Sequence, residues 1–391
     1  MLHFSQCSLE TFLNHYWQKK PLFMPQALSN FKNPISADEL AGLALEEELE
    51  SRLVIQRPGQ QPQWTLQRGP FVEGDFATLP TTHWTLLVQG VDRFVPEVAR
   101  LFDNFDFIPQ WRVDDVMISY AVEQGSVGPH YDNYDVFLYQ AQGRRQWTLT
   151  TKDCVENNYI TGLDLRIMKD FKTEMTFVLE EGDMLYLPPQ VGHHGISLSK
   201  ECMTYSFGYR SYQGQELWDS FGEHLSTKKT TAFFYQDPPW AGLEKNAHLP
   251  KQSWVQARKV LQAIINDDNL MQDWFGGFAT QLDQQAENLL PPEDTQAEFS
   301  EFIQSLLDSK GLVRNTLCRF AYFKTDDDFT LYINGCSWDI EAVDVELVEI
   351  IANYREILLK DIKPFIGNLA NESFLFALWQ LQWLECITEE S

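Results

Sequence analysis

Gly128-Pro129-His130-Tyr131-Asp132-Asn133-Tyr134-Asp135-Val136-Phe137 is the stretch on which the reading of this chain turns. His130 and Asp132 stand two apart where the chain enters a strand, so their side chains leave the same face and can bind one ion together. An HxD pair alone is weak, because it arises by chance in many sequences. It gains weight from a second segment, Glu181-Gly182-Asp183-Met184-Leu185-Tyr186-Leu187-Pro188-Pro189, which runs on into His193-His194. Two imidazoles and a carboxylate on adjacent strands of a small barrel form a facial triad, the donor set that leaves positions on iron open for a chelating cosubstrate and dioxygen. Alternation does not choose the second histidine. Ile196 and Leu198 share parity with His194, whereas Gly195 and Ser197 share it with His193.

If the chelating cosubstrate is a dicarboxylate, such a site also needs a cation deep in the barrel for its far carboxylate. Gly143-Arg144-Arg145-Gln146-Trp147-Thr148-Leu149 follows the HxD strand by one turn. In an extended segment Arg145 shares a face with Trp147 and Leu149, which belong in a core, and Arg144 shares one with Gln146 and Thr148. Arg145 is therefore expected to point inward. Between Trp111 and Tyr209 the chain reads as short β-rich runs: Val113 to Tyr120, Asp135 to Tyr139, Gln146 to Leu149, Thr176 to Leu179, Met184 to Leu187 and Met203 to Tyr209. That rhythm predicts a barrel or double-sheet jelly roll.

Upstream, an amphipathic helix through Leu9, Phe12, Leu13 and Trp17 should stop before Pro21. A second should open after Ser36, and a strand should run near Thr85 to Val88. Downstream of Arg210 the texture turns helical, with apolar stripes through Leu217, Phe221 and Leu225 and through Trp254, Leu261 and Ile265. After Leu290-Pro291-Pro292, Thr295 to Glu298 matches a capping box for a helix carrying Phe299, Phe302, Ile303 and Leu306, closed by Gly311. Two strands, Leu312 to Lys324 and Phe329 to Ile333, and helices near Val343 to Leu359 and Glu372 to Leu384 complete a winged-helix pattern. The fold class expected is α+β: a jelly roll over residues 1–211, a helical region over 212–285 and a winged helix over 286–391.

The chain's 391 residues carry 30 Lys+Arg against 56 Asp+Glu, a net charge of -26, and 14% of them are aromatic. Disordered chains lack that much aromatic surface, and an acidic excess of this size disfavours phosphate backbones and anionic membranes while favouring a basic partner. The six cysteines are dispersed with no CxxC pair, which points to reduced thiols rather than disulfides or thiolate zinc. With neither a leader-like N-terminus nor a long apolar run, a cytoplasmic location is expected.

The stretch from about Trp111 to Arg210, with VGPHYDNYDVFLYQAQGRRQW and EGDMLYLPPQVGHHG, closely resembles the JmjC-type ribosomal oxygenases, in particular their bacterial RoxA-type branch. The N-terminal FLNHYWQKKPLFMPQA and the three-part layout resemble the same family, so the likeness spans nearly the whole chain. The resemblance implies a double-stranded β-helix of the cupin/JmjC type, a helical dimerisation region and a winged helix. It implies Fe(II) and 2-oxoglutarate, with the metal on His130, Asp132 and His193 and the cosubstrate carboxylate on Arg145. It further implies hydroxylation of an arginine on large-subunit ribosomal protein sixteen, by a homodimer. His194 departs from the acidic residue of the close bacterial pattern.

A guanidinium target calls for carboxylates near the iron. Asp114 and Asp115, on the strand leading toward His130, and Asp135 beyond it are the candidates. Two other function classes compete: a catalytically silent cupin adaptor that docks basic proteins, and a winged-helix DNA-binding regulator. Residues 286–391 hold 20 acidic residues against 7 basic ones, which argues against a DNA reader. Within the oxygenase reading, a histidyl target is the alternative to an arginyl one.

Overall fold

The computed structural model describes residues 2–228, 234–239, 245–326 and 328–387. Two units divide it, Met1–Ser211 and Tyr212–Ser391. The first is built from β1 (Leu22–Met24), β2 (Ser51–Gln56), β3 (Trp64–Arg68), β4 (Trp84–Val88), β5 (Val113–Ala121), β6 (Asp135–Gln142), β7 (Arg145–Thr150), β8 (Met175–Leu179), β9 (Met184–Leu187), β10 (Gly192–Ser197) and β11 (Cys202–Tyr209). Eight of them form one sheet in the order β1-β9-β6-β11-β5-β4-β2-β3, and β10-β7-β8 form a second. All pairings are antiparallel, as a jelly roll requires.

The large sheet is covered on both faces. Val136 and Leu138 of β6 meet Trp147, Leu149, Leu179, Leu185 and Leu187 between the sheets, whereas Phe137 and Tyr139 face the outer core with Phe12, Phe105 and Tyr186. This is why β6 and β11 are buried at nearly every position instead of on alternate ones. The N-terminal helix Leu9–His15, capped by Ser8, lays Phe12 against Tyr186 at 5.1 Å between ring centroids, and Trp17 stacks on the same ring at 5.5 Å. The next helix, Ala37–Leu43, opens on a capping box between Ser36 and Glu39. Strands β1, β2, β3 and β10 were not legible in the sequence.

In the second unit the helices Gly214–Thr227, Lys251–Ile265 and Asp268–Thr280 precede two three-stranded sheets. The sheets comprise β12 (Gly311–Arg314), β13 (Phe320–Lys324), β14 (Phe329–Ile333), β15 (Cys336–Trp338), β16 (Glu356–Leu358) and β17 (Leu384–Cys386). A Cβ at Gly276 would meet the Tyr332 ring at 2.4 Å, so the helix Asp268–Thr280 seats closely on the hairpin β13-β14.

Four expectations are corrected here. The strand expected from Leu312 to Lys324 is two strands, β12 and β13, in different sheets. The Thr295–Glu298 capping box is not made: the helix Phe299–Asp308 starts after Glu298 without a side-chain cap, because Asp294 accepts from the Gln296 N–H and holds Thr295 in a turn. Gly311 opens β12 and does not close that helix. The helix expected from Val343 to Leu359 runs only Val345–Asn353 and gives way to β16.

Candidate metal centre

Gly128 turns the chain with φ +82°, a conformation that favours glycine, and brings His130 beside β10. His130 and His193 exchange both backbone hydrogen bonds, at 3.0 and 2.7 Å, which sets their imidazoles 4.2 Å apart between ring centroids. The Asp132 carbonyl accepts from the Gln190 N–H at 2.7 Å, and an Asp132 carboxylate oxygen lies 3.6 Å from His193 Nε2. One ligand atom from each of His130, Asp132 and His193 lies within 4.8 Å of the others, and among the described residues this is the group able to hold a metal.

The tautomers follow from the neighbours. His130 Nδ1 lies 3.0 Å from the Gly128 carbonyl and His193 Nδ1 3.0 Å from the Val191 carbonyl. A carbonyl only accepts, so each Nδ1 carries the proton and each Nε2 presents a lone pair to the centre. Burial, helped by the neighbouring His130, pushes the His193 pKa down to about 4. The ring is therefore neutral and ready to ligate without losing a proton.

The choice between His193 and His194 follows from register. Across the β10–β7 pair His193 stands opposite Leu149, Gly195 opposite Trp147 and Ser197 opposite Arg145. Directly opposed residues share a face, so His193 points inward with that row. His194 faces the other way, where its ring lies 6.2 Å from Phe171.

Arg145 does point inward, 5% exposed, and Arg144 lies outside with its Nε 3.5 Å from Glu180. Arg145 lines a cavity of about 500 Å³ together with the three candidate ligands, Ser119 and Trp147. Its Nη1 donates to Ser119 Oγ at 3.3 Å. Its Nε and Nη2, and the Trp147 Nε1, are buried without an acceptor among the described residues. A buried guanidinium short of acceptors fits a cavity shaped for an anion. The donor set and the guanidinium thus fit a metal ion and a dicarboxylic cosubstrate. Ser119 went unrecognised in the sequence, although its parity with Met117 along β5, opposite to Val116 and Ile118, could have placed it in the cavity.

None of the three candidate carboxylates lines the cavity. Asp135 is fully buried on the opposite face of the large sheet, accepting from Tyr186 Oη at 2.6 Å, Gln18 Nε2 at 3.1 Å and an Arg112 nitrogen at 3.3 Å. It ties the N-terminal segment to the barrel. Asp114 is half exposed, 3.5 Å from Arg210 Nε. Asp115 is buried behind Gln89, accepting from its Nε2 at 2.7 Å and from the Gly90 N–H at 2.8 Å, and burial beside Asp92 pushes its pKa up to about 7.

Residues 100–217 match the JmjC domain family, and residues 263–385 match the ROXA-like winged helix family. The chain is 36% identical over 324 residues to the ribosomal protein uL16 3-hydroxylase of Escherichia coli, covering 83% of each. It is 36% identical over 383 residues to a probable ribosomal oxygenase of Haemophilus influenzae, covering 93% of this chain and 89% of that one. The solved structure of YcfD, a ribosomal oxygenase from Escherichia coli, in complex with cobalt and 2-oxoglutarate, superposes with a TM-score of 0.82 at 30% identity. That match covers 98% of this chain and 99% of the other.

Proposed function

Because the chain belongs to the JmjC-type ribosomal oxygenases, in their bacterial RoxA-type branch, we propose that it is an Fe(II) and 2-oxoglutarate dependent dioxygenase that hydroxylates an arginine side chain of ribosomal protein uL16. The observation that carries this reading is one cavity holding both the His130, Asp132, His193 cluster and a buried Arg145 with two unpaired nitrogens. When bound, iron and 2-oxoglutarate supply the power to place one oxygen atom of dioxygen into an unactivated C–H bond.

The chain's own residues do the rest. His130, Asp132 and His193 would hold the metal through two bare Nε2 atoms and a carboxylate, and the Nδ1 bonds to the Gly128 and Val191 carbonyls keep both rings aimed. Arg145 would bind the far carboxylate of 2-oxoglutarate with charge-assisted hydrogen bonds. Since none of Asp114, Asp115 and Asp135 lines the cavity, the target guanidinium would be met by the Asp164 carboxylate, which does line it, and by aromatic faces. Tyr131, stacked on Tyr159 at 5.4 Å, and Tyr134 supply them.

The net charge of -26 favours capture of a basic ribosomal protein, and a ribosomal substrate supports a cytoplasmic location. The helical region would form a homodimer. Phe221 and Trp274 of its apolar stripe are consumed within the protomer, 5.1 Å apart, but Trp218, Trp254 and Leu261 remain about half exposed. The acidic winged helix would serve as scaffold or docking surface instead of reading DNA.

The test is incubation of purified protein with iron, 2-oxoglutarate, ascorbate and uL16, read by mass spectrometry. Gain of one oxygen on an arginine is expected. Hydroxylation of a histidine-bearing peptide in preference to its arginine counterpart would move the protein to the histidyl branch. No oxygen gain together with no succinate release would leave the silent adaptor.

A further inference from the structure

Resting on the oxygenase reading, we propose that Trp147 is a second binding residue for the cosubstrate, its indole N–H donating to the carboxylate that Arg145 holds. Buried tryptophans ordinarily find an acceptor for Nε1, and this protein provides one elsewhere: Trp274 donates to Ser220 Oγ at 3.1 Å and Trp84 to the Pro80 carbonyl at 2.7 Å. Trp147 is 4% exposed and its Nε1 meets no acceptor among the described residues.

The ring's seat explains where that N–H is directed. A Cβ at Gly195 would lie 2.6 Å from Cζ3 and 2.7 Å from Cη2 of Trp147, so the benzene edge is pressed against β10. The pyrrole edge, which carries Nε1, is turned away from it. Trp147 lines the same cavity as Arg145, and the Arg145 guanidinium carbon lies 5.6 Å from the ring centre. Three buried donor nitrogens, Arg145 Nε, Arg145 Nη2 and Trp147 Nε1, therefore belong to neighbouring side chains of one cavity and have no acceptor among the described residues. A carboxylate, with two oxygens and about four lone-pair sites, can satisfy all three at once. A side chain present only for bulk could be phenylalanine; the unpaired N–H is what the cavity gains from tryptophan.

The experiment uses the full-length, Mn(II)-loaded protein and calorimetric titration with 2-oxoglutarate and with 2-oxobutyrate, which chelates the metal but lacks the far carboxylate. Trp147→Phe keeps a ring and removes the donor. Its affinity for 2-oxoglutarate should fall roughly 10- to 100-fold, the range of a hydrogen bond to a charged group, with 2-oxobutyrate and manganese affinities unchanged. Unaltered 2-oxoglutarate affinity, or an equal loss for both acids, would overturn the proposal. Wild-type protein labelled with 15N provides a readout free of substitution. Adding 2-oxoglutarate, but not 2-oxobutyrate, should move an indole N–H resonance downfield; no movement would also overturn it. Failure of the wild-type protein to bind 2-oxoglutarate at all would instead overturn the oxygenase reading beneath it.

Discussion

Replacing Arg145 by methionine should move stability and ligand affinity in opposite directions. Arg145 is 5% exposed, and its guanidinium has one hydrogen bond of 3.3 Å to Ser119 and leaves Nε and Nη2 unpaired among the described residues. An unsatisfied buried polar group costs about 1–3 kcal/mol, and more when charged. Methionine fills a similar length with no polar atoms, while the cation–π contact with Trp147, worth about 1–2 kcal/mol, is lost. The ligand-free protein should therefore gain about 1–2 kcal/mol, raising its melting temperature by roughly 2–8 °C for a unit of this size. Binding should suffer: loss of a charge-assisted pair at about 2–3 kcal/mol lowers the affinity for 2-oxoglutarate roughly 30- to 150-fold. Thermal scans with and without cosubstrate read both effects together. Saturation to 100 times Kd should stabilise the wild type by about 2.7 kcal/mol and the variant by far less. Arg144→Ala, outside the barrel, serves as the control and should change neither quantity appreciably. A ligand-free Arg145→Met protein that melts lower than the wild type, or one that binds 2-oxoglutarate normally, would refute the assignment of Arg145 as an anion site held unpaired in advance.

His193→Ala should abolish manganese binding, as followed by electron paramagnetic resonance, whereas His194→Ala should retain it; the reverse pattern would contradict the β10–β7 register. Asp135→Ala strands Arg112, Tyr186 and Gln18 and should lower stability by about 3–5 kcal/mol in urea titration. Its KM for the ribosomal substrate, measured well below the melting temperature, should stay near the wild-type value. Burial, with the Asp92 charge beside it, raises the Asp115 pKa to about 7, well above the ordinary aspartate value, so the native state binds the proton first. Stability should then fall as pH rises from about 4 to about 7, by at most about 1.4 kcal/mol per pH unit, and level off above that. Asp115→Asn should flatten the urea midpoint between about pH 5 and 7, and an unchanged slope would assign the titration elsewhere. Gly195→Ala would drive a methyl into the Trp147 ring and should cost about 1–3 kcal/mol, measurable by the same denaturation.

Local periodicity and local motif spacing carried much of this architecture in the sequence itself. Residues two apart on an extended chain share a face whatever surrounds them, so the His130 and Asp132 pair and the inward turn of Arg145 beside Trp147 and Leu149 could be read directly. So could the runs that became β5 to β9 and β11, because β-branched and aromatic residues bounded by turn sequences need no distant partner to be recognised. Strand β10 could not. Gly192-His193-His194-Gly195-Ile196-Ser197 has little intrinsic preference for a strand and is extended because β7 pairs with it; that pairing alone places His193 inward. The same limit misled the reading of Asp135. A strand buried on both faces loses the polar and apolar alternation that would orient it, so nothing within Asp135 to Tyr139 tells the cavity side from the outer core. That distinction is made by what covers each face. The helix carrying Phe12 and the Trp17 ring cover one, the sheet β10-β7-β8 covers the other, and both meet β6 only when segments far apart in the chain pack together.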